Sequence, residues 1–134
     1  MTDCSLLTGL GDIADRYDAV FCDVWGVLHD GRAAFATAGD ALRRFRSSRG
    51  PVILITNAPV PKARVTRFFE PLGVPADAFD NVVTSGDATR RELMRRAPGP
   101  VYRIGVEGET STYDGLELSF TGSPDEARVV CCTS

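Results

Sequence analysis

The sequence predicts an α/β fold, part of a doubly wound parallel sheet. Three observations point there. Apolar runs of strand length alternate with segments of helical period along the chain. The first runs lack the polar–apolar alternation of a sheet with one wet face, the pattern expected of strands covered on both sides. Two runs end in polar residues, at the carboxyl edge where open parallel sheets bind ligands.

The elements follow in order. Residues 1–17 read as a polar lead-in with a short helix near 11–16. Ala19-Val20-Phe21-Cys22 is the first strand and ends at Asp23, and Gly26, His29, Asp30 and Gly31 mark a loop. Residues 37–48 read as a helix, with Ala38, Ala41, Leu42 and Phe45 on one face and Arg43, Arg44 and Arg46 on the other. Gly50 stops it. Val52-Ile53-Leu54-Ile55 is the second strand and ends in Thr56-Asn57. Pro59 and Pro61 break the chain, a helix spans 62–72, and Gly73 and Pro75 close it. A short third strand, 82–84, leads through Ser85-Gly86-Asp87 into a helix ending near Arg96. After the turn Pro98-Gly99-Pro100 come a strand at 101–106, a loop at 107–114, a short strand at 116–120 and a last apolar strand at 128–132. A buried parallel strand as final element leaves a strand–helix unit unfinished, so the chain is expected to be a fragment of a longer protein.

At 134 residues the chain has the size of one ordinary domain. A net charge of −3 gives no expectation of nucleic acid or an anionic membrane as partner. No apolar stretch reaches membrane-spanning length. Asp3 and the lack of an apolar leader run argue against a secretory signal. The four cysteines, Cys4, Cys22, Cys131 and Cys132, form neither a disulfide framework nor a zinc pattern. They are expected to be reduced and mostly buried, which with the rest places the protein in the cytoplasm.

Chemistry is expected at the two polar strand ends. A carboxylate at Asp23 can act as a nucleophile or as an oxygen ligand for Mg²⁺. A hydroxyl and an amide at Thr56 and Asn57 can hold phosphate oxygens. Gly26 lets backbone approach a ligand, where neighbouring N–H groups can form an anion nest.

FCDVWGVLHDG at 21–31 resembles motif I of the haloacid dehalogenase superfamily, written D-x-D-G-x-x, and ILITNAP at 53–59 resembles motif II. The pair Thr56-Asn57, a helix and then VVTSGDAT at 82–89 resemble class IIA of that superfamily, a branch of small-metabolite phosphatases with an inserted α/β cap. The resemblance implies a partial Rossmann-like core at 1–81 and the start of a truncated α/β cap at 82–134. It implies that Asp23 attacks phosphorus and binds Mg²⁺, that the Trp25 carbonyl is a second metal ligand, that Thr56 bonds the transferring phosphoryl group and that Asn57 helps to line the site. The substrate implied is a small phosphorylated metabolite, and the full-length protein is implied to dimerise through its cap.

Two departures stand out. The superfamily's second aspartate, its general acid and base, aligns with Trp25, whose indole N–H donates a hydrogen bond but trades no proton near neutral pH. General acid–base catalysis contributes roughly 10²–10⁴-fold, so ester hydrolysis should suffer unless another group substitutes. His29, the single histidine, could shuttle protons, but an exposed loop histidine is the favoured reading. The later lysine and acidic pair of the superfamily are absent, and Lys62 follows motif II too closely to be that lysine. The rival readings are a non-catalytic binding or regulatory relative and an inactive fragment. Trp25 itself reads equally as a stacking platform or as a core aromatic. Gly9 to Ala14 fits G-x-G-x-x-A but precedes its strand instead of following it, so it is set aside as a dinucleotide site. Arg90, Arg91, Arg95 and Arg96 are read as a solvated helix face backed by Leu93 and Met94.

Overall fold

The computed structural model describes residues 6–133, so Asp3 and Cys4 lie outside it. Contacts divide the chain into two compact units, residues 1–56 with 66–82 and residues 57–65 with 83–134.

The first unit opens with short 3-10 turns at Leu10–Asp12 and Ala14–Arg16, where the short helix is expected. Strand β1 (Val20–Asp23) and strand β2 (Val52–Thr56) are joined by helix α1 (Ala36–Ser48). They run parallel, with Val20 level with Val52 and Asp23 level with Ile55. Strand β3 (Asn81–Thr84) takes the other side of β2, giving a three-stranded sheet in the order β1-β2-β3. A parallel pair needs such a crossover, and α1 supplies it by turning Leu42 and Phe45 into the core, as its period predicts. The predicted helix at 62–72 is instead broken into α2 (Lys62–Thr66) and α3 (Phe69–Leu72). The break coincides with the passage between units at residues 65 and 66. Gly73 ends α3 in the left-handed conformation, φ 83°.

The expectation that the first strands are covered on both faces does not hold. Val52 and Leu54 of β2 are fully buried, but Phe21 of β1 is 71% exposed and Ile55 is exposed as well. The positions therefore alternate, and one face of the pair stays open in this chain. Asp80 fastens the opposite end of β2: its carboxylate accepts the Val52 N–H and the Arg46 Nε–H, each at 2.8 Å, and its own N–H donates to Val52 O.

In the second unit, helix α4 (Ser85–Arg95) begins on a cap in which Thr84 Oγ1 accepts the Asp87 N–H at 2.9 Å. Strands β4 (Val101–Ile104) and β5 (Val129–Cys132) form a two-stranded parallel sheet. Its core is Leu93, Val101, Tyr113 and Cys131. The short strand predicted at 116–120 is reduced to a single bridge between Phe120 and Val101, because Leu116 and Leu118 pack against the core instead of joining a ladder. Residues 57–65 join this unit through hydrogen bonds: Gly86 N–H to Ala58 O at 3.1 Å, Lys62 N–H to Asp87 Oδ2 at 3.0 Å and Thr112 Oγ1 to Pro59 O at 2.6 Å. A Cβ on Gly86 would run into the Val60 backbone, so this close approach needs glycine.

Three readings of side-chain setting change. Among the described cysteines only Cys131 is buried; Cys22 is half-buried and Cys132 exposed. Met94 is exposed and leaves Leu93 alone to pack inward. Arg90 is no solvated charge: its guanidinium donates to the carbonyls of Ser111, Thr112 and Asp114 and ties that loop to α4. No helix among the described residues is long and apolar enough to cross a membrane.

Candidate active site

The site is built on the turn that leaves β1. Asp23 is the strand's last residue and is exposed. Its Oδ1 accepts the Val24 N–H at 2.7 Å, and this is the carboxylate's one hydrogen bond among the described residues. Val24 and Leu28 are buried and pin the turn to the core. Within it, the Leu28 N–H donates to Val24 O at 2.9 Å and the Gly26 N–H to His29 O at 2.8 Å. Gly26 sits at φ 79°, a conformation that disfavours a side chain, so the reversal requires glycine there. Behind the site, burial and then the negative charge of Asp23 push the Cys22 thiol above its ordinary value. The thiol therefore stays neutral and is not a competing nucleophile.

Thr56 ends β2 one residue past the partner of Asp23, so both lie at the carboxyl edge of the parallel pair. Thr56 is 7% exposed. Asn57, the next residue, is exposed and belongs by its contacts to the second unit.

His29 is not the exposed loop histidine expected: it is buried, at 8% exposure. Its Nδ1 accepts the Gly31 N–H at 3.1 Å, and its ring meets Phe69 at 6.1 Å and Trp25 edge-to-face at 5.7 Å. That role is architectural. Trp25, in contrast, is 65% exposed and is no core aromatic. Its ring lies where a Cβ on Gly31 would be, and Gly31 is at φ 86°. In sequence Gly31 marks only a loop, although the Asp30-Gly31 pair carries the signal of a left-handed turn. Asp30 holds that turn: its Oδ1 accepts the Arg32 and Ala33 N–H groups at 2.8 and 2.9 Å, which keep its carboxyl below the usual range.

Magnesium is implied for this site, and the donors present fall short of it. Asp23 offers a carboxylate and Trp25 a backbone carbonyl, while Asp30 is committed to its own turn. No group of three or more His, Cys, Asp or Glu side chains among the described residues could hold a metal ion. Mg²⁺ asks for six oxygens in near-ideal octahedral array, so these residues do not make a metal centre by themselves.

A family model described as haloacid dehalogenase-like hydrolase matches residues 20–119. The chain belongs to this family. A solved haloacid dehalogenase-like hydrolase from Brucella suis 1330 is similar at 45% identity and TM-score 0.82, over 96% of this chain and 49% of that one. Two more distant structures share the fold. A glycerol phosphate phosphatase from Mycobacterium tuberculosis, solved with calcium, has 22% identity and TM-score 0.59, over 91% of this chain and 36% of that one. A hypothetical protein from Pyrococcus horikoshii OT3 has 23% identity and TM-score 0.53, over 72% and 37%. No curated protein matches. This haloacid dehalogenase-like chain thus spans half or less of the length of these structures.

Proposed function

We propose that the protein is a cytoplasmic class IIA hydrolase with phosphatase-like action on a small phosphorylated metabolite, and that Asp23 is its nucleophile. One observation carries the reading: an exposed carboxylate at the carboxyl end of a parallel strand, with one oxygen oriented by the Val24 N–H at 2.7 Å. The free oxygen attacks phosphorus, the ester P–O bond breaks with its electron pair on the departing oxygen, which takes a proton from water, and a second water later cleaves the aspartyl-phosphate to release phosphate and restore the Asp23 carboxylate. Thr56, at the same sheet edge, is the hydroxyl that bonds a phosphoryl oxygen, and Gly26 and Asn57 complete the lining. Residues 82–134 are read as the start of the cap and 1–81 as part of the core. Where Mg²⁺ is bound, the Asp23 carboxylate and the Trp25 carbonyl would be the protein oxygens that hold it, and it would neutralise charge on carboxylate and phosphate. Water and substrate oxygens would supply the rest. Dimerisation through the cap belongs to the same proposal.

The test is phosphate release by the 134-residue chain and by a full-length form, with Asp23→Asn as control. Loss of the nucleophile is expected to lower turnover by about three orders of magnitude or more. Turnover that survives in Asp23→Asn overturns the assignment. Trp25 favours a second reading, a non-catalytic binding relative, because indole supplies no acid or base. Turnover that depends on Asp23 excludes it.

A further inference from the structure

We propose that the carboxyl edge of the β4–β5 pair is a binding site for a small zwitterion of the α-amino acid class, with Arg103 taking the carboxylate and Glu107 the ammonium. This ligand is a second one, and its binding does not depend on the hydrolase reading above.

A cavity of about 270 Å³ opens at that edge, within the second unit. Gly105 and Thr133, the residues that follow β4 and β5, line it. Open parallel sheets bind ligands beyond the carboxyl ends of their strands. The volume lies just below the roughly 300–1,000 Å³ of drug-sized ligand sites, so it suits a small metabolite and excludes a nucleotide.

Charge defines the ligand. Arg103, Glu107 and Glu109 all line the cavity. Glu109 is answered within the chain: Arg64 Nη1 donates to it at 3.0 Å and the Ser111 N–H at 2.9 Å. Arg103 and Glu107 are not. Neither side chain has an ion-pair or hydrogen-bond partner among the described residues, so they do not pair with each other either. Opposite charges that share a small cavity without meeting leave a gap for a ligand carrying the complementary pair. A bare anion would gain Arg103 but face Glu107, and a bare cation would meet the reverse. An α-amino acid carries both charges on one carbon.

Solvated charges are ordinary on a protein surface, and two further observations set this pair apart. The Arg103 guanidinium is held over the Phe120 and Tyr113 rings, 4.5 and 5.6 Å from their centroids. It therefore has less freedom to lose when its N–H fork meets a carboxylate. Tyr113 also lines the cavity, is only 7% exposed, and its buried hydroxyl has no hydrogen-bond partner among the described residues. Burial pushes that hydroxyl up to about 12, so it stays protonated and can donate. A ligand carboxylate oxygen is the acceptor it lacks.

The test is calorimetric titration of the 134-residue chain with L-alanine, and with propionate and ethylammonium, which carry its two charges one at a time. Saturable binding is expected for L-alanine, about tenfold or more tighter than for either comparator. Arg103→Gln and Glu107→Gln should each weaken it by about the same factor. Glu107→Gln alters an exposed loop side chain, so its melt should match that of the parent and the loss cannot come from unfolding. Tyr113→Phe keeps the ring under Arg103 and should weaken binding about two- to tenfold. No saturable heat, equal affinity for L-alanine and a comparator, or binding that survives in both charge variants overturns the site. Inorganic phosphate, an anion without an ammonium, should not compete; competition overturns the zwitterion in favour of a plain anion.

Discussion

The β1–β2 and β4–β5 pairs have the same backbone plan and different fates. Each aligns four residues with four in parallel register. In the first pair β2 is a central strand and Leu54 is 0% exposed. In the second there are only two strands, and Val130 of β5 is 56% exposed. The carboxyl ends differ more. Beyond β1 come Asp23, Trp25 and the Gly26 reversal; beyond β4 come Gly105, Val106, Glu107 and Gly108, a loop with no carboxylate at the strand's last position. Each pair presents a carboxyl edge, but the residue that ends the strand decides whether chemistry can happen there.

Two substitutions sharpen the structural half of this comparison. Leu54→Ala removes a fully buried side chain from the central strand, and about 2–5 kcal/mol of stability should go with it. The measurement is denaturant unfolding with fluorescence and circular dichroism followed together. A loss well under the lower bound would mean that β2 is no better packed than β5. Thr84→Ala acts on the second pair through its helix. The lost cap bond to the Asp87 N–H should cost about 1 kcal/mol, read as faster hydrogen exchange in α4 and β5 than in β2. Uniform acceleration through both sheets would break the distinction between them.

The parts that were legible in the sequence were those fixed by local pattern. Helix α1 appears within one residue of its expected start because Leu42 and Phe45 repeat at the helical interval. Asp23 and Thr56 end their strands as expected, because an apolar run stopped by a polar residue marks a strand's carboxyl end. What could not be read was set by distant packing. The apolar run at Val20 to Cys22 suggested cover on both faces, yet which face is covered depends on elements far along a chain. The break between α2 and α3 follows from the passage of 57–65 into the second unit, held by Gly86 and Thr112, and nothing local announces it. His29 looked exposed because it sits among Asp and Gly. Its burial comes from Phe69, forty residues away in sequence.

The smallest predicted effect concerns the start of β2. The Val52 N–H, and after it the Arg46 guanidinium, hold the Asp80 carboxyl below its ordinary value of 3.8. A carboxyl depressed in the folded state binds its proton more readily in the unfolded chain. Its contribution to stability is therefore complete above the unfolded value and fades as pH falls through the lower folded one. Asp80→Asn keeps an acceptor for Val52 and loses the charge, so its melting temperature should fall less steeply on acidification than that of the parent protein. Asp30 and Glu92 are depressed as well, so only the difference between the two curves isolates Asp80. Parallel curves through the carboxylate range would mean that this end of β2 is held by the hydrogen bond alone, and that charge plays no part in making it the better-anchored strand.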